Sequence, residues 1–136
     1  MGSRNGCIAS GVLNLACMTR LFVYGTLKRG GCNHHYMAGQ QFVSEAVTQP
    51  GYRLYDLGGY PGMVEAEGGL SIEGDLWDVD DECKARLDIL EGIDEGEYSQ
   101  EVVPLLPPYQ ADVVQGYIYR WPVSGRPELG PVWREG

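Results

Sequence analysis

Glycine and proline interrupt this sequence so often that long uninterrupted elements are excluded. Twenty glycines and eight prolines are spread over 136 residues. Glycine permits tight turns, and proline breaks the interior of helices and sheets, so the segments between them stay short. The pattern favours many short segments over a helix bundle, and the chain length fits one domain with a single core.

Runs of β-branched and aromatic residues between the turns predict short strands. The predicted strands are 19–24, 42–47, 52–56, 63–67, 70–79, 98–105 and 113–121. We expect 63–67 and 70–79 to pair as a hairpin closed by the sequence EGG. The sequence DDECKARLDILEG predicts one helix that Asp80 or Asp81 caps and Gly92 ends, with a further helical turn near 34–38. Strands with one well-formed helix give an α+β fold class.

The charged residues restrict the kinds of partner. Ten Lys and Arg against nineteen Asp and Glu give a formal net charge of −9. Phosphate backbones and anionic membranes are repelled by such a protein, so we expect no nucleic-acid and no membrane partner. The cysteines, at positions 7, 17, 32 and 83, form no CxxC pair and have no metal-ligand spacing. We interpret them as reduced thiols of a cytoplasmic protein and expect no metal site.

The first segment, 1–17, differs from the patterned region that follows it. Its apolar part is far shorter than the roughly 20 residues that a membrane-spanning helix needs. We interpret 1–17 as an N-terminal extension that is disordered or derives from cloning or from an upstream start. Residues 18–136 are then expected to form a single domain.

The predicted helix places one carboxylate at the edge of its apolar face. Cys83, Leu87 and Leu90 form the apolar stripe, and at about 100° per residue Glu91 lies next to it. Glu91 is also in the last turn, where the negative end of the helix dipole and partial desolvation both raise a carboxyl pKa. Such a group suits proton transfer near neutral pH. A structural role, with Glu91 paired to a cation such as Arg86 or Lys28, stays open as an alternative.

A second candidate site follows the first predicted strand, in the sequence YGTLKRGG. Backbone N–H groups after a strand that ends at a glycine can converge on a carboxylate or an oxyanion. The sequence is not a P-loop, because GxxxxGK[ST] is absent. Lys28 and Arg29 are expected to stay in solvent. A thiol nucleophile, Cys32 with His34 or His35 as its base, is a weaker alternative because no third orienting group is identifiable.

Three motifs in a fixed order then point to a family. The first strand ends in Tyr-Gly-Thr-Leu at 24–27, the helix carries Leu-Asp-Ile-Leu-Glu-Gly at 87–92, and Tyr98 follows closely. In this order and spacing they resemble the gamma-glutamylcyclotransferase-like family, and YGTLKRGGCNH is most similar to its gamma-glutamylamine cyclotransferase branch. The segments GYPGMVE, EGDLWDV and GYIYRW also fall where the family has strands, so the resemblance spans residues 19–121.

The resemblance implies a small mixed β-barrel flanked by helices, with the loop after the first strand and the helix glutamate facing one cavity. It also implies conversion of a small-molecule gamma-glutamyl amide into 5-oxoproline and a free amine, without metal or organic cofactor. Glu91 would be the general acid and base. Backbone N–H groups of Gly25, Thr26 and Leu27 would hold the substrate carboxylate or the oxyanion. Tyr24 and Tyr98 would form cavity walls.

One position departs from the family pattern. The family often has Tyr-x-Arg after the helix, whereas here the third residue is Gln100, so Arg120 or Arg53 is expected to substitute if that arginine supports the site. A non-catalytic module of the same fold that binds a small carboxylate is the main alternative. The sequence indicates neither the leaving amine nor the oligomeric state.

Overall fold

The computed structural model describes residues 18–134, so the interpretation of 1–17 lies outside the described residues. Residues 18–134 form eight strands and one α-helix. In chain order the strands are β1 Met18–Val23, β2 Gln41–Val47, β3 Tyr52–Asp56, β4 Pro61–Glu65, β5 Glu73–Asp80, β6 Tyr98–Val102, β7 Gln115–Tyr119 and β8 Glu128–Leu129, and the helix α1 is Asp81–Leu90. The α+β class is confirmed, with β8 in a tail for which the sequence predicted no strand.

Five strands form a mixed sheet in the order β2-β5-β1-β7-β6. The first strand is central, antiparallel to β5 and parallel to β7. Leu21, Phe22 and Val23 are all buried, because a central strand that is covered on both faces has no solvent side. Phe22 packs into one apolar cluster, while Leu21 and Val23 pack into another. The strand β1 therefore separates the two apolar clusters, and the chain leaves the sheet between them after Val23.

The other three strands form a small antiparallel sheet in the order β4-β3-β8. The predicted hairpin of 63–67 with 70–79 is therefore wrong, because β4 pairs with β3 while β5 pairs with β1 and β2. Leu70, which the hairpin required as a partner of β4, instead forms a bridge with Tyr52 of β3. Residues Gly74–Trp77 of β5 are buried, so this strand is suited to the interior of the larger sheet.

The predicted helix is confirmed, together with both of its ends. Asp80 is the N-cap, and its carboxylate accepts a 2.8 Å hydrogen bond from the Cys83 backbone N–H. Gly92 follows with φ of 68°, a left-handed conformation that glycine adopts without a steric penalty. The apolar stripe is buried at Cys83 and Leu87, which packs α1 against the larger sheet.

The expectation of a barrel flanked by helices needs correction. Over residues 18–134 the strands form two sheets that contact each other without closing into a barrel. The helix α1 is accompanied only by two 3₁₀ helices in this part of the chain, His34–Met37 and Ile93–Glu95. The longest stretch without glycine or proline is 75–91, and it is divided between β5 and α1, which leaves little room for a second long helix. Within the described region, no helix is both long and apolar enough to cross a bilayer.

Candidate active site

A cavity of about 350 Å³ opens where the chain leaves β1. Four parts of the chain contribute to it: the end of β1 with its loop, the turn between β3 and β4, the end of α1 with the segment to β6, and one residue of β7. The lining residues are Phe22, Val23, Tyr24, Gly25, Thr26, Leu27, Cys32, Asn33, Gly59, Tyr60, Pro61, Leu90, Glu91, Glu97, Tyr98 and Tyr117. All six residues that the sequence selected for the site are brought together here.

The loop after β1 is a tight turn fixed by its own backbone and by Asn33. The Lys28 N–H donates to the Gly25 carbonyl at 3.0 Å, and the Asn33 N–H donates to the Thr26 carbonyl at 3.0 Å. The Asn33 side-chain amide also donates to the Thr26 hydroxyl at 3.0 Å. A Cβ on Gly31 would lie 2.2 Å from the Thr26 carbonyl oxygen, so only glycine fits this close approach of two backbone segments.

This turn leaves three consecutive backbone donors unused. The N–H groups of Gly25, Thr26 and Leu27 donate to no acceptor within residues 18–134. Thr26 and Leu27 are buried, and buried N–H groups are nearly always hydrogen-bonded in folded proteins. Since all three residues line the cavity, their donors are suited to an anionic group placed inside it.

Both cations of the loop contact other parts of the protein. Arg29 stays exposed, as expected, whereas Lys28 is half-buried. The Arg29 N–H and Nε donate to one Asp75 oxygen at 2.9 Å and 3.2 Å, and the Arg29 guanidinium stacks 3.9 Å from the centre of the Phe42 ring. Lys28 Nζ donates to the Trp133 carbonyl at 2.7 Å. Both side chains therefore anchor the loop from outside the cavity.

Glu91 lies directly after α1, at the position that the sequence indicated. Its backbone N–H donates to the Leu87 carbonyl at 2.9 Å, which holds the residue in the last helical turn. Burial, assisted by the negative charges of Glu97 and Asp88, raises the pKa of the Glu91 carboxyl to about 7. The residue is half-buried because its remaining accessible surface faces the cavity.

The cations proposed as structural partners of Glu91 have other contacts. Arg86 lies 3.9 Å from the Glu82 carboxylate, one turn earlier on the exposed side of α1. Across the described residues, the Glu91 carboxylate has no hydrogen bond and no ion pair. The observed arrangement is thus that of a desolvated carboxyl directed at a cavity.

The tyrosines around Glu91 use their hydroxyls to hold the cavity wall. The Tyr24 hydroxyl donates to the Tyr117 carbonyl at 2.8 Å and accepts from the Met63 N–H at 3.1 Å. The Tyr98 hydroxyl donates to the Pro61 carbonyl at 2.9 Å. Burial raises the pKa of both phenols, so they stay neutral at physiological pH. Tyr24 and Tyr98 thus have their hydroxyls committed to the backbone.

Sequence reasoning missed Glu97 and Tyr60. The Tyr60 hydroxyl donates to the Glu97 carboxylate at 3.1 Å, and both residues line the cavity. Glu97 immediately precedes Tyr98, and that proximity to a motif residue was the only local signal available. Tyr60 comes from the turn between β3 and β4, which reaches the site only through the tertiary fold.

Arg120 and Arg53 were suggested to replace the arginine that the family often has at the position of Gln100, but both lie away from the cavity. Arg120 donates to Ser99, Glu65 and Glu101 on the exposed side of the sheet. Arg53 donates to Glu128 of β8. Neither arginine lines the cavity, and Gln100 is exposed and does not line it either.

Cys32, the nucleophile of the alternative thiol mechanism, is exposed and lines the cavity. His34 Nδ1 lies 3.3 Å from the Leu27 carbonyl oxygen, and its ring stacks against Trp77. The His35 ring contacts Tyr36. These contacts give His34 a role in holding the loop. Within residues 18–134, no group of three or more His, Cys, Asp or Glu side chains is arranged to hold a metal ion.

Comparison with known proteins places this geometry in a family. Residues 21–135 match the family described as "Gamma-glutamyl cyclotransferase, AIG2-like". A Vibrio cholerae protein named "Putative gamma-glutamylcyclotransferase" is 48% identical over 73 residues, which are 54% of this chain and 62% of that protein. This chain therefore spans less than two thirds of that relative's length. The Escherichia coli family protein YtfP is 34% identical over 106 residues, covering 78% of this chain and 87% of YtfP.

Solved structures show the same fold. A uropathogenic Escherichia coli-specific protein superimposes with a TM-score of 0.72 at 30% identity, covering 86% of this chain and 93% of that one. A mouse AIG2-like protein superimposes with a TM-score of 0.62 at 29% identity, covering 76% and 77%. Because the family match extends over most of the sequence and YtfP aligns with more than three quarters of it, the chain belongs to the gamma-glutamyl cyclotransferase, AIG2-like family.

Proposed function

We propose that this protein is a gamma-glutamyl cyclotransferase that converts a gamma-glutamyl amine, or a gamma-glutamyl amino acid, into 5-oxoproline and the free amine. One observation carries the proposal. The Glu91 carboxyl, with a pKa raised to about 7, lines the same cavity as the unused N–H groups of Gly25, Thr26 and Leu27. The sequence YGTLKRGGCNH resembles the gamma-glutamylamine cyclotransferase branch, which favours gamma-glutamyl amines over gamma-glutamyl amino acids as substrates.

The reaction balances with the atoms of the substrate alone. The α-amino nitrogen attacks the γ-carbonyl carbon of the same glutamyl group and closes a five-membered ring. The amide C–N bond breaks. The α-ammonium nitrogen loses two protons as it becomes the lactam N–H, one before and one after its attack, and the departing nitrogen takes up both and leaves as an ammonium. No water is consumed, so the protein has to orient the chain and move protons from one nitrogen of the substrate to the other.

Glu91 is suited to moving these protons one at a time. As a carboxylate it accepts a proton from the α-ammonium, and as a carboxylic acid it donates the proton to the departing amine. A pKa of about 7 makes both protonation states accessible near neutral pH. Burial provides this pKa, because the charged form is poorly solvated inside the cavity.

The loop after β1 is suited to holding the other end of the glutamyl group. The N–H groups of Gly25, Thr26 and Leu27 would bind its α-carboxylate and need no rearrangement, because the turn is already fixed by Asn33 and Gly31. The rings of Tyr24 and Tyr98 would form the walls that keep the chain curled for ring closure.

The test is release of 5-oxoproline from gamma-glutamyl amines and gamma-glutamyl amino acids. We expect turnover by the wild-type protein, with kcat/KM rising with pH around an apparent pKa of about 7, because the free enzyme needs an ionised base. Glu91→Gln should abolish turnover while its circular dichroism spectrum and substrate binding persist. Glu95→Gln, an exposed carboxylate four residues away that does not line the cavity, is the matched control and should retain full activity.

Three outcomes separate this proposal from its alternatives. Binding without 5-oxoproline formation would support a non-catalytic carboxylate-binding module. Free glutamate as the product would indicate a hydrolase, and Cys32→Ser would then identify or exclude the thiol as nucleophile. Unchanged 5-oxoproline formation by Glu91→Gln would refute the role of Glu91.

A further inference from the structure

The charges that line the cavity are all of one sign. Glu91 and Glu97 are the ionisable acids among the lining residues, and no Lys, Arg or His belongs to that set. A gamma-glutamyl head group carries one ammonium and one carboxylate, so by itself it adds no net charge. Its ammonium would pair with Glu91 and its carboxylate with the loop N–H groups, as in the proposed function. The charge of Glu97 is then left without a counterpart in the substrate head group.

Glu97 is held at the opening of the cavity. Its carboxylate accepts the 3.1 Å hydrogen bond from Tyr60, which is 39% exposed, and Glu97 itself is half-buried. The turn that carries Tyr60 is fixed, because Asp56 Oδ1 accepts hydrogen bonds from the N–H groups of Gly58 at 2.9 Å and Gly59 at 3.2 Å. Glu97 forms no ion pair with any cation of the described region. A fixed carboxylate that has no ion pair within the described region therefore lies beside the entrance.

Aromatic rings extend from this entrance to the surface. Tyr98 stacks edge-on against Tyr119 with ring centres 5.2 Å apart, and Tyr119 stacks edge-on against Trp121 at 6.4 Å. Trp121 is 45% exposed. Burial raises the pKa of Tyr60, Glu97 and Tyr119 act in the same direction, and Arg126 acts in the opposite one. Of these residues, Tyr60 and Tyr98 line the cavity together with Glu97. Aromatic faces attract cations, so these two rings favour the same sign of charge as Glu97.

The direction of the substrate follows from these positions. The glutamyl head must reach the buried end of the cavity, where Glu91 and the N–H groups of Thr26 and Leu27 lie. The exposed lining residues are Cys32, on the loop after β1, and Gly59 and Tyr60, beside Glu97. An amine part directed towards Gly59 and Tyr60 would pass Glu97.

We propose that the amine part of the substrate carries a second positive charge, which Glu97 binds at the cavity entrance. The substrate class is the gamma-glutamyl amide of a diamine or another basic amine. Gamma-glutamyl amino acids are poorer substrates, because their second carboxylate would lie near Glu97 and find no cation among the lining side chains. This inference rests on the proposed function and makes Glu97 a residue that determines specificity.

The test uses three amides that differ at one end only. These are the gamma-glutamyl amides of 1,4-diaminobutane, of n-pentylamine and of 4-aminobutyrate, which end in an ammonium, a methyl and a carboxylate. We expect kcat/KM for 5-oxoproline release to fall in that order, by about fivefold at each step for a half-exposed carboxylate. The preference should shrink at high salt, because exposed charges are screened.

Glu97→Gln keeps a hydrogen-bond acceptor for Tyr60 and removes the charge. For each variant, the kcat/KM of one amide is divided by that of another. Any effect of Glu97 on the pKa of Glu91 changes both values equally and cancels in this ratio. We expect the ratios to collapse towards one in Glu97→Gln and to persist in the exposed control Glu95→Gln. Equal use of the three amides by the wild-type protein, or unchanged ratios in Glu97→Gln, would overturn the inference.

Calorimetric binding of the same amides to Glu91→Gln separates the two proposals. If the wild-type protein formed 5-oxoproline from none of the amides but Glu91→Gln still bound the ammonium-ended amide most tightly, the proposed function would be overturned and the charge preference would stand. Equal dissociation constants for the three amides would overturn the charge preference, whether or not the wild-type protein turns them over.

Discussion

Asp75 of β5 accepts hydrogen bonds from both the backbone and the side chain of Arg29. One Asp75 oxygen accepts from the Arg29 N–H at 2.9 Å and from Nε at 3.2 Å, and the other lies 3.4 Å from Nη2. Asp75 is buried and sits opposite Val23, the last residue of β1. This contact ties the loop that contains the three unused N–H groups to the middle of the larger sheet.

Removing the Asp75 carboxylate should therefore loosen the loop. We expect Asp75→Ala to lower the free energy of unfolding by about 1 kcal/mol, at the low end for a charged hydrogen bond because Arg29 is half exposed. The KM for a gamma-glutamyl amide should rise by about tenfold as the N–H donors lose their fixed position. Urea unfolding and steady-state kinetics measure the two effects. Glu82→Gln, which removes an exposed carboxylate of α1, should change neither.

The raised pKa of Glu91 makes stability depend on pH with a definite sign. Between the ordinary carboxyl pKa of 4.5 and the folded-state value of about 7, the folded protein keeps a proton that the unfolded chain has lost. The contribution of this group to stability therefore decreases as pH rises through that window, and above it the full cost of a buried charge is present. At pH 8, urea unfolding should give Glu91→Gln a free energy of unfolding roughly 2–4 kcal/mol higher than that of the wild-type protein.

The same comparison at pH 4.5 should give stabilities within about 0.5 kcal/mol of each other, because the carboxyl is then protonated in the folded state and half protonated in the unfolded chain. Glu95→Gln supplies the control at both pH values. A stability difference between Glu91→Gln and wild type that does not change with pH would show that the Glu91 carboxyl is not desolvated.

Gly31 should tolerate no side chain. A Cβ there would overlap the Thr26 carbonyl oxygen, which is backbone and cannot rotate away. We expect Gly31→Ala to lower the free energy of unfolding by about 1–3 kcal/mol and to raise KM, since relief of the overlap moves the Thr26 and Leu27 N–H groups. Gly130→Ala is the matched control, because a Cβ at that position meets nothing within 4 Å. Equal behaviour of the two variants in unfolding and kinetic assays would contradict the close approach.

The arginine that the family pattern expects after the helix should be dispensable in this chain. Gln100 is exposed and bonds Gln115 at 3.4 Å, while Arg120 contacts side chains on the outer side of the sheet. We expect both Gln100→Arg and Arg120→Ala to keep kcat/KM within about twofold of wild type, with stability changed by at most about 1 kcal/mol in Arg120→Ala. A large loss of kcat/KM with an unchanged fold would show that the outer side of the sheet, where Gln100 and Arg120 lie, affects the reaction in the cavity.

Local pattern was sufficient for the elements that carry the site. The end of β1 at Gly25, the Asp80 cap, the Gly92 stop and the place of Glu91 at the rim of α1 all follow from residues within a few positions of one another. Caps, turns and helical periodicity are short-range effects, so one sequence suffices to locate them. The six site residues named from the sequence accordingly line one cavity.

The pairing of strands that are distant in the chain could not be predicted from local patterns. The hairpin expected for β4 and β5 was wrong because either strand fits several partners, and only the competition among strands for burial selects β3 for β4. The two sheets, rather than a closed barrel, follow from the same competition.

The sequence by itself determined where a proton-transfer group and a turn of backbone donors would occur, because both depend on local conformation. Only the tertiary structure decided that they face the same cavity, that Asp75 holds the loop through Arg29, and that Glu97 and Tyr60 stand at the entrance. The last two of these relationships join residues 46 and 37 positions apart in the chain, and the first spans a greater distance. Their energies come from burial and charge in the folded protein, which a local pattern does not contain.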